Sequence, residues 1–546
     1  MVFGRPVVFL VLFLTIALSP SSDRLAAVSI TQAWVVIPVN QNQNAVIRNR
    51  AVACKSPSAY APSVATWHCS GENDKKNVIG NSCLHSSVVS PRRADVRGSI
   101  EDGNMDDNAA DGENEDLDRD LQLQQEKLSQ LFTILKAEPK NLLRFQNEVE
   151  SGVRGIYLNC SIKSGEVVLK VPLDSCLIDD KSPSWLHDEV KNDPHRWATR
   201  LAASWIDMHL KDKELDNEDI ESSQQGHRVW SSLLPDTEYV RASLPVHWPE
   251  TTLSNARSTA LELAVDSTFF ARAEAVSDLV RGIQRSPYAE QFSKEEDEVA
   301  MHRCMNELAH RALDLVQTRS CRLEDGSGDT NCRRAMAPIF DFINHGSRNT
   351  AGANACFALE EEQYLVVRSM QDISQDKEVK IDYGASARPA WKCLLSYGFV
   401  PEYKRTVPEA EEGENLAEVY MKGVRYEVAD DSVPIDMVAD ANPRPWSDEE
   451  DDELPSNESV LTPDIALRIS ERIADAAFYL LLEPEQILNK NGSNEDEDPD
   501  STPFEIISKQ LAASLRWSQH RILLTCAAGL THFAKEHAKE EESSYQ

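Results

Sequence analysis

Paired cysteines are missing from this 546-residue chain: its eleven cysteines are scattered, and none stands in a C-x-x-C pair. That spacing offers no zinc-ligand set and no disulfide framework, so reduced thiols and no metal are expected. Positive charge is also short. With 56 Lys and Arg against 90 Asp and Glu, the formal net charge is −34. Nonspecific nucleic-acid binding needs clustered Lys and Arg to neutralise phosphates. No nucleic-acid partner is therefore expected, and a protein substrate is easier to accommodate. Near the N-terminus, the apolar run from Val7 to Leu18 is too short to span a bilayer comfortably. Preceded by Arg5 and followed by Ser-Pro-Ser-Ser, it reads as the core of a signal peptide, with a membrane anchor as the alternative. No stable membrane association is expected after processing.

Acid is scarce in one place. Between residues 21 and 94 only Asp23, Glu72 and Asp74 are acidic, whereas Ser, Ala, Val and Asn abound with scattered Arg and Lys. Residues 1–33 are thus read as a signal peptide and 34–100 as a transit-like region without packed structure. Together they form the two-part address of a protein sent to a plastid with additional membranes; secretion or membrane anchoring is the alternative. Residues 101–120, E-D-G-N-M-D-D-N-A-A-D-G-E-N-E-D-L-D-R-D, repel themselves and bury nothing, so a disordered acidic linker is expected. From 121 to 182 a helix leads into alternating strands and glycine turns, S-G-V-R-G and K-S-G-E. Residues 183–315 are helical in period, 316–405 return to short strands, and 406–546 hold acidic runs, one strand-like piece and two strong helices. His302 and His310, eight residues apart on one such helix, are read as ordinary helix residues.

The chain is organised around residues 335–403. Three polar clusters interrupt core-like sequence there: Asp341 with Asn344 and His345, Tyr383 with Gly384, and Tyr397 with Gly398. Alone, Asn-His after an apolar run reads as the end of an element, and Tyr-Gly as a turn. Buried polar groups left unpaired cost about 1–3 kcal/mol each, so something must match them, and a ligand is one candidate.

The order of the segments is more specific. P-I-F-D-F-I-N-H, then K-E-V-K-I-D-Y-G, then L-L-S-Y-G-F-V resembles the C-terminal half of a SET-domain methyltransferase. The subgroup most similar contains the Rubisco large-subunit lysine methyltransferase and the actin-histidine methyltransferase. G-V-R-G-I-Y with I-K-S-G-E-V-V-L-K-V-P resembles the subgroup's opening segment. The resemblance implies an α+β fold: a SET β-fold split by a helical insert (183–315), followed by a mainly helical substrate-binding domain (406–546).

It also implies S-adenosyl-L-methionine as cofactor, a protein substrate, no metal and a monomer. Gly152, Val153, Arg154, Asn344, His345, Tyr383 and Phe399 would bind the cofactor. Tyr383 would be catalytic, and Arg319, Phe340 and Tyr397 would meet the substrate. Two departures stand out. Pro389 and Ala390 occupy positions where many relatives carry Ser-Asn. Phe340 and Cys321 stand where the histidine-modifying relative has tryptophan and asparagine, which favours lysine as the acceptor. Histidine methylation and a non-catalytic scaffold are the alternatives. Methyl transfer to lysine needs an uncharged amine, an orienting site and no strong base, since positioning alone can supply several kcal/mol.

Overall fold

The computed structural model describes residues 30–36, 48–52, 109–147, 154–214, 222–292, 297–323, 333–346, 352–383, 389–404, 415–442, 461–482 and 502–544. The signal-like apolar run and most of the transit-like region lie outside the described residues. Strands Ile30–Val36 and Arg48–Val52 pair with each other, and the first also pairs with Ser432–Pro434.

The leading helix, Ala109–Ile134, begins inside the stretch expected to be an acidic linker. Leu128, Leu131, Phe132 and Leu135 bury one face at three- and four-residue spacing. Once that face nucleates a helix, extension toward the N-terminus costs little per residue. Leu143–Asn147 and Arg154–Leu158 then form an antiparallel hairpin, with Gln146 opposite Gly155. Around it lies a five-stranded sheet in the order Val167–Pro172, Tyr364–Ser369, Ala355–Glu360, Lys380–Ile381, Asn344–His345. A smaller sheet joins Leu177–Ile178, Arg333–Met336 and Ser320–Leu323. Sequence on both sides of the insert therefore builds the same sheets: Val167–Pro172 comes from before it, and the rest of the larger sheet from after it.

The insert packs against these sheets through long helices. Glu298–Arg319 starts at Asp297, whose carboxylate accepts from the Val299 amide at 3.0 Å. It buries Met305, Ala309, Ala312 and Val316 on one stripe and continues past the boundary expected at 315, ending on Arg319. Thr259–Arg285 buries Val265, Val276, Leu279 and Ile283 in the same way.

Beyond the sheets, the strand-like piece read as one segment folds back on itself. Leu416–Met421 pairs with Val424–Ala429 across Lys422 and Gly423, at φ 53° and 82°. Two consecutive left-handed residues give the tight turn whose twist suits a hairpin. The last helix, Pro503–Ser544, has 42 residues and spans about 60 Å. Its first half places Ala512 and Leu515 against Trp248, Leu261 and Leu394. Its second half joins Ile522, Leu523, Cys526 and Leu530 to Ile465, Ile469 and Ile473 of helix Pro463–Leu481. One rod thus contributes to two cores. Among the described residues, no helix is long and apolar enough to cross a membrane.

Candidate active site

Parallel pairing sets the centre of the site. Asn344 lies opposite Lys380 and His345 opposite Ile381, so Tyr383, two residues on, falls beside His345. The Tyr383 amide donates to His345 Nδ1 at 3.3 Å, and the two ring centroids are 5.2 Å apart. The phenol donates to the Ile343 carbonyl at 2.7 Å. Tyr383 is therefore held at both ends by the segment Ile343–His345.

Helix Ala390–Tyr397 supplies the next wall. It ends on Gly398 at φ 74°, the left-handed cap that glycine adopts without penalty. A Cβ on Gly398 would also lie 2.5 Å from Ser243 Oγ, so the turn is tight on both counts. Tyr397 Oη donates to the Tyr383 carbonyl at 3.2 Å. Phe399 follows, 5.6 Å from the His345 ring and 6.1 Å from those of Tyr383 and Tyr397. Four rings thus meet at one place.

Next to the rings lies a buried charge cluster. Arg154 opens strand Arg154–Leu158, and its guanidinium lies 4.7 Å from the Phe145 ring centre and 4.9 Å from that of Phe342. It donates to Gln124 Oε1 at 3.0 Å and to the Leu233 carbonyl at 2.8 Å. Arg319 donates to the Asp341 carbonyl at 2.8 Å and lies 3.7 Å from Asp341 Oδ2. Asp341 Oδ2 also accepts from Trp230 Nε1 of the insert at 3.1 Å, while its Oδ1 is buried without a partner. Just before this turn Ile339, fully buried, sits at φ 70°. For a β-branched residue that costs roughly 1–3 kcal/mol, so the surrounding core must hold the turn in place.

Protonation follows from burial. Asp341 is pushed up to about 6 by desolvation, against the opposing pull of Arg319, Trp230 and Arg154. Arg154 is lowered to about 10 by burial and by the Arg319 charge, and remains a cation at neutral pH. Burial pushes the Tyr383 phenol well above its ordinary range, so it stays neutral and acts as a donor.

Of the residues expected here, Arg154, Asn344, His345, Tyr383, Tyr397 and Phe399 are brought together, with Arg319 adjoining. Gly152 and Val153 lie outside the described residues, as does Gly384. Phe340 is 5% exposed, and its ring contacts Phe357 edge-on at 4.9 Å. Three residues were not singled out by the sequence reading. Trp230 ties the insert to Asp341. Glu378 binds Asn344, and Gly155 lies directly under both. The signals were present: a second glycine in G-V-R-G, and an acid inside the core-like run K-E-V-K-I-D-Y.

The donor set suits S-adenosylmethionine. Ring faces attract a cation such as a sulfonium, and Asn344, whose Nδ2 donates to Glu378 and to the Arg154 carbonyl, offers its Oδ1 as an acceptor. At Gly155 a Cβ would lie 2.2 Å from Glu378 Oε1, so only glycine leaves this cradle undistorted. Among the described residues, no group of three or more His, Cys, Asp or Glu could hold a metal ion.

Comparison with known proteins gives a family match. The SET domain model matches residues 153–384. No curated protein matches. Among solved structures, the SET domain of LSMT bound to lysine and AdoHcy aligns at TM-score 0.41 and 14% identity, covering 77% of this chain and 92% of that one. Rubisco LSMT bound to sinefungin and monomethyllysine aligns at 0.41 and 13%, covering 76% and 92%. Rubisco LSMT bound to AdoMet aligns at 0.40 and 14%, with 76% and 92% covered.

Proposed function

We propose that residues 153–384, which the SET domain model matches, form a SET domain and that the protein is an S-adenosylmethionine-dependent protein-lysine N-methyltransferase. The observation that carries the reading is the clamp on Tyr383: its phenol is fixed to Ile343 and its backbone to His345, inside a cluster of four rings. When bound, S-adenosylmethionine supplies an electrophilic methyl group.

The protein's own part is to hold, orient and dry the reacting groups. Arg154, Asn344, His345 and Phe399 hold the cofactor, and Gly152 and Val153 complete the set of cofactor-binding residues. Tyr383 is the catalytic residue. It works as a neutral, fixed dipole, since burial keeps its proton on and rules it out as a base near neutral pH. A lysine ammonium, ordinarily at about 10.4, must give up a proton at a cost of roughly 5 kcal/mol near pH 7. Burial beside the Arg154 and Arg319 guanidiniums disfavours the ammonium and offsets part of that cost. Ionised Asp341 works in the opposite direction, so the balance of these three groups sets the pH dependence.

Lysine is favoured over histidine at the acceptor position. Phe340 is packed into the core against Phe357, and Cys321, on strand Ser320–Leu323, offers only a weak hydrogen bond to an imidazole. Arg319 and Tyr397 line the substrate side. Residues 406–546 form the domain that holds the protein substrate, and the acid-poor stretch behind the signal-like run supports delivery to a plastid. A monomer suffices for all of these roles.

The rival is a SET-like scaffold that binds protein without chemistry. Calorimetric titration with S-adenosylmethionine and AdoHcy separates the two. Saturable binding of both, retained by Tyr383→Phe together with loss of methyl transfer, supports the enzyme. Absence of cofactor binding in the wild type would refute it.

A further inference from the structure

Glu378 has no role in the proposed chemistry, yet it sits against the residue expected to hold the cofactor. Its Oε1 accepts from Asn344 Nδ2 at 2.8 Å, and the same amide nitrogen donates to the Arg154 carbonyl at 3.1 Å. Its other oxygen, Oε2, is held by Lys380 Nζ at 2.7 Å. Lys380 lies opposite Asn344 in the parallel pair, so one strand pairing arranges all three groups. The backbone is engaged as well: the Glu378 carbonyl accepts from Asn354 Nδ2 at 2.7 Å, and Asn354 Oδ1 accepts from the Lys380 amide at 2.9 Å. The carboxylate is thus fixed at both oxygens and at its base, with its side chain only 11% exposed.

A fixed carboxylate imposes a direction on Asn344. A side-chain amide has a donating nitrogen end and an accepting oxygen end. Both neighbours on the Glu378 side, a carboxylate and a carbonyl, can only accept. Flipping the amide would set its oxygen against a carboxylate, so the nitrogen end stays there and the oxygen end is turned away. The same carboxylate fills the space above Gly155, where a Cβ would lie 2.2 Å from Oε1 and 3.1 Å from Asn344 Nδ2.

We propose that Glu378 is a positioning residue for the cofactor. It locks the Asn344 amide with its oxygen presented to an N–H donor of the ligand, and Lys380 locks Glu378 in turn. This rests on the reading of Asn344 as a cofactor-holding residue. Glu378 does not touch the reacting atoms, so its loss acts on cofactor binding and leaves the chemical step alone.

A double-mutant cycle on the full chain tests this. Glu378→Met removes the acceptor, Glu378→Gln keeps an accepting oxygen, and Asn344→Ala removes the group being positioned. AdoHcy affinity is read by calorimetry, KM and kcat by transfer of labelled methyl groups, and folding by thermal melting. Glu378→Met is expected to weaken AdoHcy at least tenfold and to raise KM for S-adenosylmethionine with kcat within twofold, the pattern of lost uniform binding. Glu378→Gln should recover most of that affinity. In the Asn344→Ala background, Glu378→Met should change affinity less than twofold, since nothing remains to position. Equal losses in both backgrounds, or wild-type affinity in Glu378→Met, would overturn the positioning role while leaving the cofactor reading intact. Failure of the wild type to bind AdoHcy would overturn the cofactor reading, and the positioning role with it.

Discussion

Gly155→Ala tests the cradle at its tightest point. The added Cβ would lie 2.2 Å from Glu378 Oε1 and 2.9 Å from its Cδ, whereas ordinary contact begins near 3.4 Å. The carboxylate must therefore retreat by roughly 1 Å, and its 2.8 Å bond to Asn344 is the contact that breaks. A hydrogen bond to a charged group is worth about 1.5–3 kcal/mol. At about 1.4 kcal/mol per factor of ten, cofactor affinity should fall by about 10- to 150-fold. Stability should fall by roughly 0.5–2.5 kcal/mol, since the same bond is lost from the folded chain while replacing glycine in a strand recovers about 0.5–1 kcal/mol of backbone entropy. The assays are calorimetric titration with AdoHcy and a thermal melt on the same preparation. Affinity within twofold of wild type in a natively melting protein would refute the reasoning, since a clash of this size cannot be absorbed without moving Glu378.

Three further outcomes follow from the same geometry. Tyr383→Phe deletes the donor to the Ile343 carbonyl; methyl transfer should fall 100-fold or more through misplacement. Its AdoHcy affinity should stay within twofold, and its stability should drop by about 1–3 kcal/mol in urea unfolding, from the carbonyl left unpaired. Asp341, held near 6 in the folded protein against an ordinary 3.8, keeps a proton that the unfolded chain releases between those values. That term lowers stability as pH rises from about 4 to about 6, by roughly 3 kcal/mol in all. The difference in unfolding free energy between wild type and Asp341→Asn should trace that slope and flatten above pH 7; a pH-independent difference would contradict the burial-driven shift. Gly398→Ala forces a side chain into the left-handed region and against Ser243, so the denaturation midpoint should fall by the equivalent of at least about 1–2 kcal/mol.

Much of the candidate site is legible in the chain because its residues sit in short apolar segments whose polar members stand out from their surroundings. Asn344, His345 and Tyr383 were visible for that reason, and the strand pairing that joins them follows from the same segments. Trp230 was not visible as a site residue. Within V-W-S-S-L-L it is an ordinary core tryptophan, and only the tertiary fold brings its indole to Asp341, 111 residues away. Glu378 was hidden by its company, since an acid flanked by Lys377 and Lys380 reads as a solvated charge until Asn344 is seen against it. The hairpin at Lys422–Gly423 passed as one strand because lysine is not a typical left-handed turn residue, although glycine after it was a cue. Local charge argues for a linker over residues 101–120, whereas the buried stripe from Leu128 to Leu135 supports, from a distance, a helix that starts at Ala109.

Methyl-labelled S-adenosylmethionine, incubated with the purified protein and a plastid protein extract and followed by hydrolysis of the labelled acceptor to amino acids, tests the proposed chemistry most directly. Label in methylated lysine, present with wild type and lost with Tyr383→Phe, is the predicted result. Label in methylhistidine, or equal label with both proteins, would contradict it.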